Sequence, residues 1–207
     1  MISKLKNTWK KYNLGFYFSI AGSFLMGTFH LAVTCISFSW LTFNYMLFCY
    51  LMSSVRIVVW YLDRIKHQKN LYLTASIFLI ALLIPLMVSL VRTIKDKEIN
   101  AIIFDWIIYA YAIYAFAKLI VSLINLAKSK TNSDSKNILC WFSLINALFT
   151  MFMLEFNMIR IFGKVSPSMQ MIEYFFQGFI LLLVLFVISL FLFRFFVRRK
   201  QNHSNES

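Results

Sequence analysis

The sequence has few charged residues, and acidic residues are the scarcest of them. Only 14% of the 207 residues are charged, whereas 60% are hydrophobic. A soluble domain usually has about a quarter charged and about half apolar residues. This composition excludes an ordinary soluble domain and indicates a membrane protein. Eight Asp and Glu stand against 21 Lys and Arg, which gives a net charge of +13.

The sequence also lacks the motifs that build known active sites. Cys35, Cys49 and Cys140 lie in apolar segments without a CxxC or metal-ligand spacing. HExxH, G-x-S-x-G, P-loop and Asp-rich metal motifs are missing. No polar segment is long enough to fold into a domain that could hold a nucleotide or display a surface to a nucleic acid. We therefore expect no enzymatic activity, no metal, no cofactor and no nucleic-acid partner.

Six apolar segments are long enough to cross a bilayer, which takes about 20 predominantly apolar residues. The sequence predicts an all-α polytopic integral membrane protein with one transmembrane domain over residues 14–197, a basic N-terminus over 1–13 and a polar tail over 198–207. The first segment is interpreted as a retained helix, because no cleavage pattern follows it. The six segments cover residues 14–37, 40–62, 71–91, 99–126, 138–162 and 171–197.

The basic residues alternate between loops in a way that predicts an orientation. Short loops on the cytoplasmic side of a membrane collect Lys and Arg, and 14 of the 21 basic residues fall on one side of the six segments. We predict that both termini face the cytoplasm, that the protein lies in the cell membrane, and that anionic lipid headgroups are its partners. These residues are Lys4, Lys6, Lys10, Lys11, Arg64, Lys66, Lys69, Lys128, Lys130, Lys136, Arg194, Arg198, Arg199 and Lys200.

A short pattern recurs at the start of the odd-numbered segments. The string Asn-[Leu/Ile]-x4-Ser-[Ile/Leu] begins at Asn13, Asn70 and Asn137, and a basic-x-x-Val string recurs near the end of the even-numbered segments. Internal repeats of this size indicate repeated helix pairs. Chance recurrence in a chain so rich in Leu, Ile and Val is the alternative. The predicted αα-hairpins are 14–62, 71–126 and 138–197.

The first segment carries Gly15, Ser19, Ser23 and Gly27, one small residue every four positions. Such a stripe allows the backbones of two membrane helices to approach closely. We expect this face to pack against another helix. The neighbouring helix belongs either to the same chain or to a second membrane protein.

The fourth segment carries a polar face at helical spacing. The spacing is three or four residues, so these side chains share one side of the helix: Tyr111, Tyr114, Lys118, Ser122 and Asn125. A polar face in a membrane helix is expected to look inward or toward water. Charged residues within membrane segments are costly, and we expect Lys118 and Arg56 to snorkel toward the cytoplasmic headgroups.

Several polar residues fall toward the predicted outer ends of the segments. We predict that His30, Asp105, Glu155 and Glu173 form a substrate or ion-binding site that opens to the outside. Glu155 is the main reason, because an ionised carboxylate at that depth requires a partner. Interhelical hydrogen bonds or contact with headgroups would also explain these residues.

Two functions follow from these features. The first is a small permease, channel or substrate-binding membrane subunit that uses the outer polar residues. The second is an accessory, regulatory or immunity-type membrane protein that docks a partner through the first helix. Convergence of the outer polar residues would favour the first function.

Overall fold

The computed structural model describes residues 14–37, 40–65, 71–95, 105–128, 134–162 and 167–204. These residues form six long helices and no strand, and each helix is long and apolar enough to cross a membrane. The predicted six-helix membrane protein is therefore confirmed. The helices are α1 (Leu14–Ser37), α2 (Trp40–Arg64), α3 (Leu71–Lys95), α4 (Asp105–Lys128), α5 (Asp134–Phe162) and α6 (Pro167–Ser204).

The last two helices begin earlier than their apolar segments do. Helix α5 begins at Asp134, and α6 begins at Pro167. A carboxylate is stabilised in the first turn of a helix by the partial positive charge of the unpaired N–H groups. Proline is favoured at the first helical position because its fixed backbone angle suits a helix and its missing N–H is not needed there. The first turns of α5 and α6 therefore lie outside the apolar segments that hydropathy identifies.

The helices are not packed in sequence order. Helices α2, α3, α6 and α5 form a central group in which α2 contacts α3 and α5, and α6 contacts α3 and α5. Helix α1 packs on α2, and α4 packs on α5. Helices α1 and α4 therefore flank the central group, and they are the least buried of the six described helices. Consecutive helices α3 and α4 form no extensive contact among the described residues. The threefold repeat remains a prediction.

Aromatic side chains fill the centre of the bundle. Phe149 on α5 is 2% exposed and lies against Phe48 on α2, with ring centroids 4.0 Å apart, and against Tyr45, at 5.5 Å. Phe152 and Phe156 continue this row along α5 and are fully buried. Helix α5 is accordingly the most buried of the six. This row fixes how α2 and α5 face each other.

Polar contacts join the four central helices at one end of the bundle, which is the predicted cytoplasmic end. The Tyr72 hydroxyl on α3 donates to the Asp134 carboxylate on α5 at 2.8 Å, and Arg194 on α6 lies 3.5 Å from the same hydroxyl. The Ser135 hydroxyl donates to the Asp63 carboxylate on α2 at 2.9 Å. The opposite end is called the predicted outer end below. The orientation itself remains a prediction.

The small-residue stripe of α1 faces α2. A Cβ atom added at Gly27 would lie 3.2 Å from the ring of Tyr50 on α2. The Tyr50 ring also lies edge-on to Phe24, and its hydroxyl is 3.4 Å from that of Thr28. Ser23 is buried on the same side of α1. The described part of the stripe therefore lies in an intramolecular contact, while the side-chain position of Gly15 is outside the described residues.

Replacing Gly27 with leucine should destabilise the protein by about 1–3 kcal/mol, because extra atoms in a filled contact force helices or side chains apart. Gly22→Leu is the matched control, since a Cβ at Gly22 meets nothing within 4 Å. The free energy of unfolding in mixed micelles, measured by SDS titration, would show the difference. Equal losses in the two variants would contradict the close α1–α2 contact.

Candidate ligand site: a polar cluster inside the bundle

Arg56 on α2 is the most buried charged side chain of the cluster. It is 2% exposed. Its Nη1 donates to the Ser23 hydroxyl at 2.6 Å and to the Ser19 carbonyl at 2.9 Å, both on α1. The guanidinium therefore lies between α1 and α2. The prediction that Arg56 snorkels to the headgroups is wrong, because polar groups of α1 bind it within the protein.

Lys118 on α4 also turns into the protein. Its Nζ donates to the Thr150 hydroxyl at 2.7 Å and to the Asn146 side-chain oxygen at 3.1 Å, both on α5. The ammonium lies 5.2 Å from the centroid of the Tyr114 ring, one turn toward the start of α4. Snorkelling toward the end of α4 would require the opposite direction, so that prediction is wrong as well. Hydrogen-bond partners on α5 supply the physical reason.

Tyrosine hydroxyls connect α2 with α4 beside Lys118. The hydroxyls of Tyr45 on α2 and Tyr111 on α4 are 3.2 Å apart and buried. Tyr45 also interacts with the Thr150 hydroxyl that binds Lys118 and with the Cys49 thiol. Tyr111 and Lys118 therefore look inward at these residues, and further along the helix Ser122 donates to the Ser143 carbonyl of α5 at 3.2 Å. The predicted inward face is confirmed for these three residues, whereas Tyr114 is 43% exposed and Asn125 is also exposed.

These contacts define one site, called the central polar cluster. It extends from Tyr45 and Tyr111, each three residues inside the candidate spans that begin at Thr42 and Ile108, past Lys118, to Arg56. Lys118 lies ten residues from each end of the candidate span Ile108–Lys128, which is about 15 Å along the helix axis. The members of the cluster are Ser23, Tyr45, Cys49, Arg56, Tyr111, Tyr114, Lys118, Asn146 and Thr150.

The electrostatic balance of the cluster is positive. The charges of Arg56 and Lys118 lie close enough to repel each other. Within the described part of the chain, neither side chain forms a salt bridge with an Asp or Glu. Charges inside a membrane protein usually pair with one another, with backbone groups or with a ligand. Two cations held by neutral groups therefore form a site that favours negative charge.

His30 lies next to the central polar cluster. It is 1% exposed, and its ring packs edge-on against Tyr45 with the centroids 4.2 Å apart. Neither ring nitrogen has a hydrogen-bond partner among the described residues. His30 thus extends the cluster by one aromatic ring toward the predicted outer end.

The other predicted outer residues lie elsewhere or outside the described side chains. Glu155 on α5 and Glu173 on α6 lie close enough to interact electrostatically, and they are called the outer acidic pair. Among the described residues, His30 does not join this pair as a group of three that could bind a metal ion. Asp105 begins α4, but its side chain is outside the described residues. The predicted four-residue site is therefore only partly assembled, and its role as a binding site remains a prediction.

Sequence reasoning found the charged members of the cluster and missed most of its neutral ones. The spacing of Tyr111, Tyr114 and Lys118 on one helical face was the available signal. For Ser23 the sequence predicts only a role in helix packing. Asn146 and Thr150, four residues apart on one face of α5, form an equivalent signal on the helix that receives Lys118.

Comparison of the chain with protein-family models, with curated proteins and with solved structures finds no match. The geometry of the cluster is therefore the basis for the functional interpretation.

Proposed function

We propose that this integral membrane protein is a small permease or a substrate-binding membrane subunit, and that the central polar cluster is its ligand site. One observation carries the proposal. Polar side chains of four helices converge in a membrane-embedded region, and two of them, Arg56 and Lys118, are cations without an acidic partner among the described residues.

A purely structural cluster is a poor explanation for this arrangement. Isolated charges in a low-dielectric interior are costly, and buried charges that serve stability are normally paired with an opposite charge. Residues of this kind inside a membrane typically mark the pathway of a substrate or an ion. A ligand that neutralises the cations would account for their retention. Tyr45 and the adjacent His30 form the part of the cluster nearest the predicted outer end, and we propose that the ligand enters from that end.

The accessory function receives less support from the fold. Its predicted docking surface was the small-residue stripe of α1, and Ser19, Ser23 and Gly27 already contact α2. A partner would have to displace α2 or use a different face of α1. The ligand-site proposal requires no such rearrangement.

Thermal unfolding of the protein in lipid nanodiscs, with a panel of salts and small metabolites, tests the proposal. A ligand that binds only the folded state raises the midpoint by mass action. We expect at least one compound to raise the midpoint of the wild type and to lose this effect in Lys118→Gln. Glu155→Gln should retain the effect, because Glu155 belongs to the outer acidic pair.

Loss of the effect in Glu155→Gln alone would move the ligand site to the outer acidic pair. Absence of any shift across neutral, cationic and anionic compounds would contradict a ligand site in the bundle. The accessory function would then be the better account.

A further inference from the structure

We propose that the ligand of the central polar cluster is an oxyanion, a phosphate or carboxylate group held between Arg56 of α2 and Lys118 of α4. This inference rests on the proposed function of the cluster as a ligand site. It adds the chemical class of the ligand and the two residues that neutralise it.

Charge balance is the first argument. Arg56 and Lys118 belong to different helices and repel each other, and in the described part of the chain no acidic side chain lies in contact with either. Repulsion between like charges is stronger in a membrane interior than in water, because the dielectric constant is lower there. A group of negative charge between the two side chains turns this repulsion into two attractions. A neutral or cationic ligand leaves the repulsion in place or increases it.

The free donors of Arg56 supply the second argument. Both of its hydrogen bonds to described residues come from Nη1. The Nε and Nη2 donors form the other edge of the planar guanidinium, and with respect to the described residues they remain available. Two parallel N–H groups match the two oxygens of a carboxylate or phosphate, and this bidentate geometry is the reason that arginine is favoured in such sites. The geometry points to an oxyanion rather than to a spherical halide.

The surroundings of Lys118 supply the third argument. Thr150 and Asn146 use two of the three donors of the ammonium, so one donor remains for a ligand. The Tyr114 ring lies against the same ammonium, and its hydroxyl interacts with the charge of Arg56. A hydroxyl that senses the charge of Arg56, on a ring that lies against Lys118, is suited to donate a hydrogen bond to an anion bound there.

Two sources can supply this chemistry, a soluble anion and the phosphate of an anionic lipid. Helices α1 and α4 both carry members of the cluster, and among the described residues they do not pack extensively on each other. The soluble and the lipid source are therefore both tested. The full-length protein is placed in phosphatidylcholine nanodiscs at fixed ionic strength. In one arm inorganic phosphate, sulfate or acetate replaces chloride. In the other arm phosphatidylglycerol replaces part of the lipid, and no soluble oxyanion is present.

We expect at least one oxyanion to raise the unfolding midpoint by roughly 5–10 °C at a hundredfold excess over its Kd. Lys118→Gln should weaken the apparent affinity roughly 10- to 100-fold, which is the usual effect of losing a charged hydrogen bond. Arg56→Lys should also weaken it, because lysine keeps the charge and loses the planar fork. In the soluble-anion arm Lys128→Gln is the matched control, since it removes the same charge from an exposed position of the same helix.

A response confined to soluble anions identifies a solute site. A response confined to phosphatidylglycerol identifies a lipid headgroup site. Both results support the oxyanion. Equal responses of the wild type, Lys118→Gln and Arg56→Lys would overturn it, as would no response beyond that to chloride. A neutral or cationic compound whose effect is lost in Lys118→Gln would overturn the oxyanion and leave the proposed function standing. No response to any compound would contradict both.

Discussion

Phe149→Ala should lower the free energy of unfolding by about 2–3 kcal/mol, somewhat less than the roughly 3–5 kcal/mol that removing a buried aromatic ring costs a soluble protein. The ring is 2% exposed and touches Phe48, Tyr45 and Phe152 from two helices. In a membrane the unfolded helices are already in contact with lipid, so transfer from water contributes little. The expected loss is the cost of the cavity and of the missing contacts between α2 and α5.

Phe175→Ala is the matched control, because Phe175 on α6 is 78% exposed. Its ring contacts lipid in both the folded and the unfolded states, so its removal should change the free energy of unfolding by less than about 0.5 kcal/mol. SDS titration in mixed micelles compares the two variants. Equal effects would mean that the aromatic row of α5 is not the core of the bundle.

Phe149→Ala should also loosen the central polar cluster, because Phe149 precedes Thr150 and stacks on Tyr45.

The existence of the six helices could be predicted from the sequence because lipid offers the backbone no hydrogen-bond partners. Every N–H and C=O group within the membrane must be satisfied inside its own helix, so a long apolar segment has one stable conformation. Helix ends were predicted less well. Asp134 and Pro167 extend α5 and α6 through local capping effects, which hydropathy does not contain.

The pairing of the helices could not be predicted. Helix α3 packs on α6 and α4 packs on α5, whereas the hairpin hypothesis pairs α3 with α4. Apolar membrane helices gain little from one neighbour over another except through detailed fit and a few polar contacts. Those contacts depend on residues far apart in the chain, such as Tyr72 with Asp134.

The candidate site shows the same limit. Lys118 and Arg56 are visible in the sequence as membrane-embedded charges, and their cost is certain. Whether each charge snorkels or points into the protein depends on its hydrogen-bond partner. Lys118 binds Thr150 and Arg56 binds Ser23, and each partner lies more than thirty residues away in the chain. The sequence therefore contained the charged residues of the site without the contacts that explain them.

The positive potential of the central polar cluster should be detectable at Cys49. This thiol is 3% exposed, lies beside Tyr45 and interacts with the charges of both Arg56 and Lys118. A site lined by charge of one sign raises the local concentration of oppositely charged molecules by roughly 10- to 1,000-fold. An anionic thiol reagent should therefore reach Cys49 faster than a cationic reagent of similar size.

The comparison requires that Cys49 be the only reactive thiol. Cys35 is exposed and Cys140 is partly exposed, so both are replaced in a Cys35→Ser, Cys140→Ala background. The reactivity of the thiol affects both reagents equally, and the ratio of the two rates thus reports the local potential. Lys118→Gln should reduce this ratio, whereas Lys128→Gln should leave it unchanged.

The most direct test of a ligand-accessible cationic site is this ratio of modification rates in the folded protein, reconstituted in liposomes. A rate at least about tenfold higher for anionic than for cationic methanethiosulfonate, reduced by Lys118→Gln, is the expected result. Two results would contradict the site. In the first, Cys49 reacts with neither reagent until the protein is unfolded; in the second, it reacts faster with the cationic reagent.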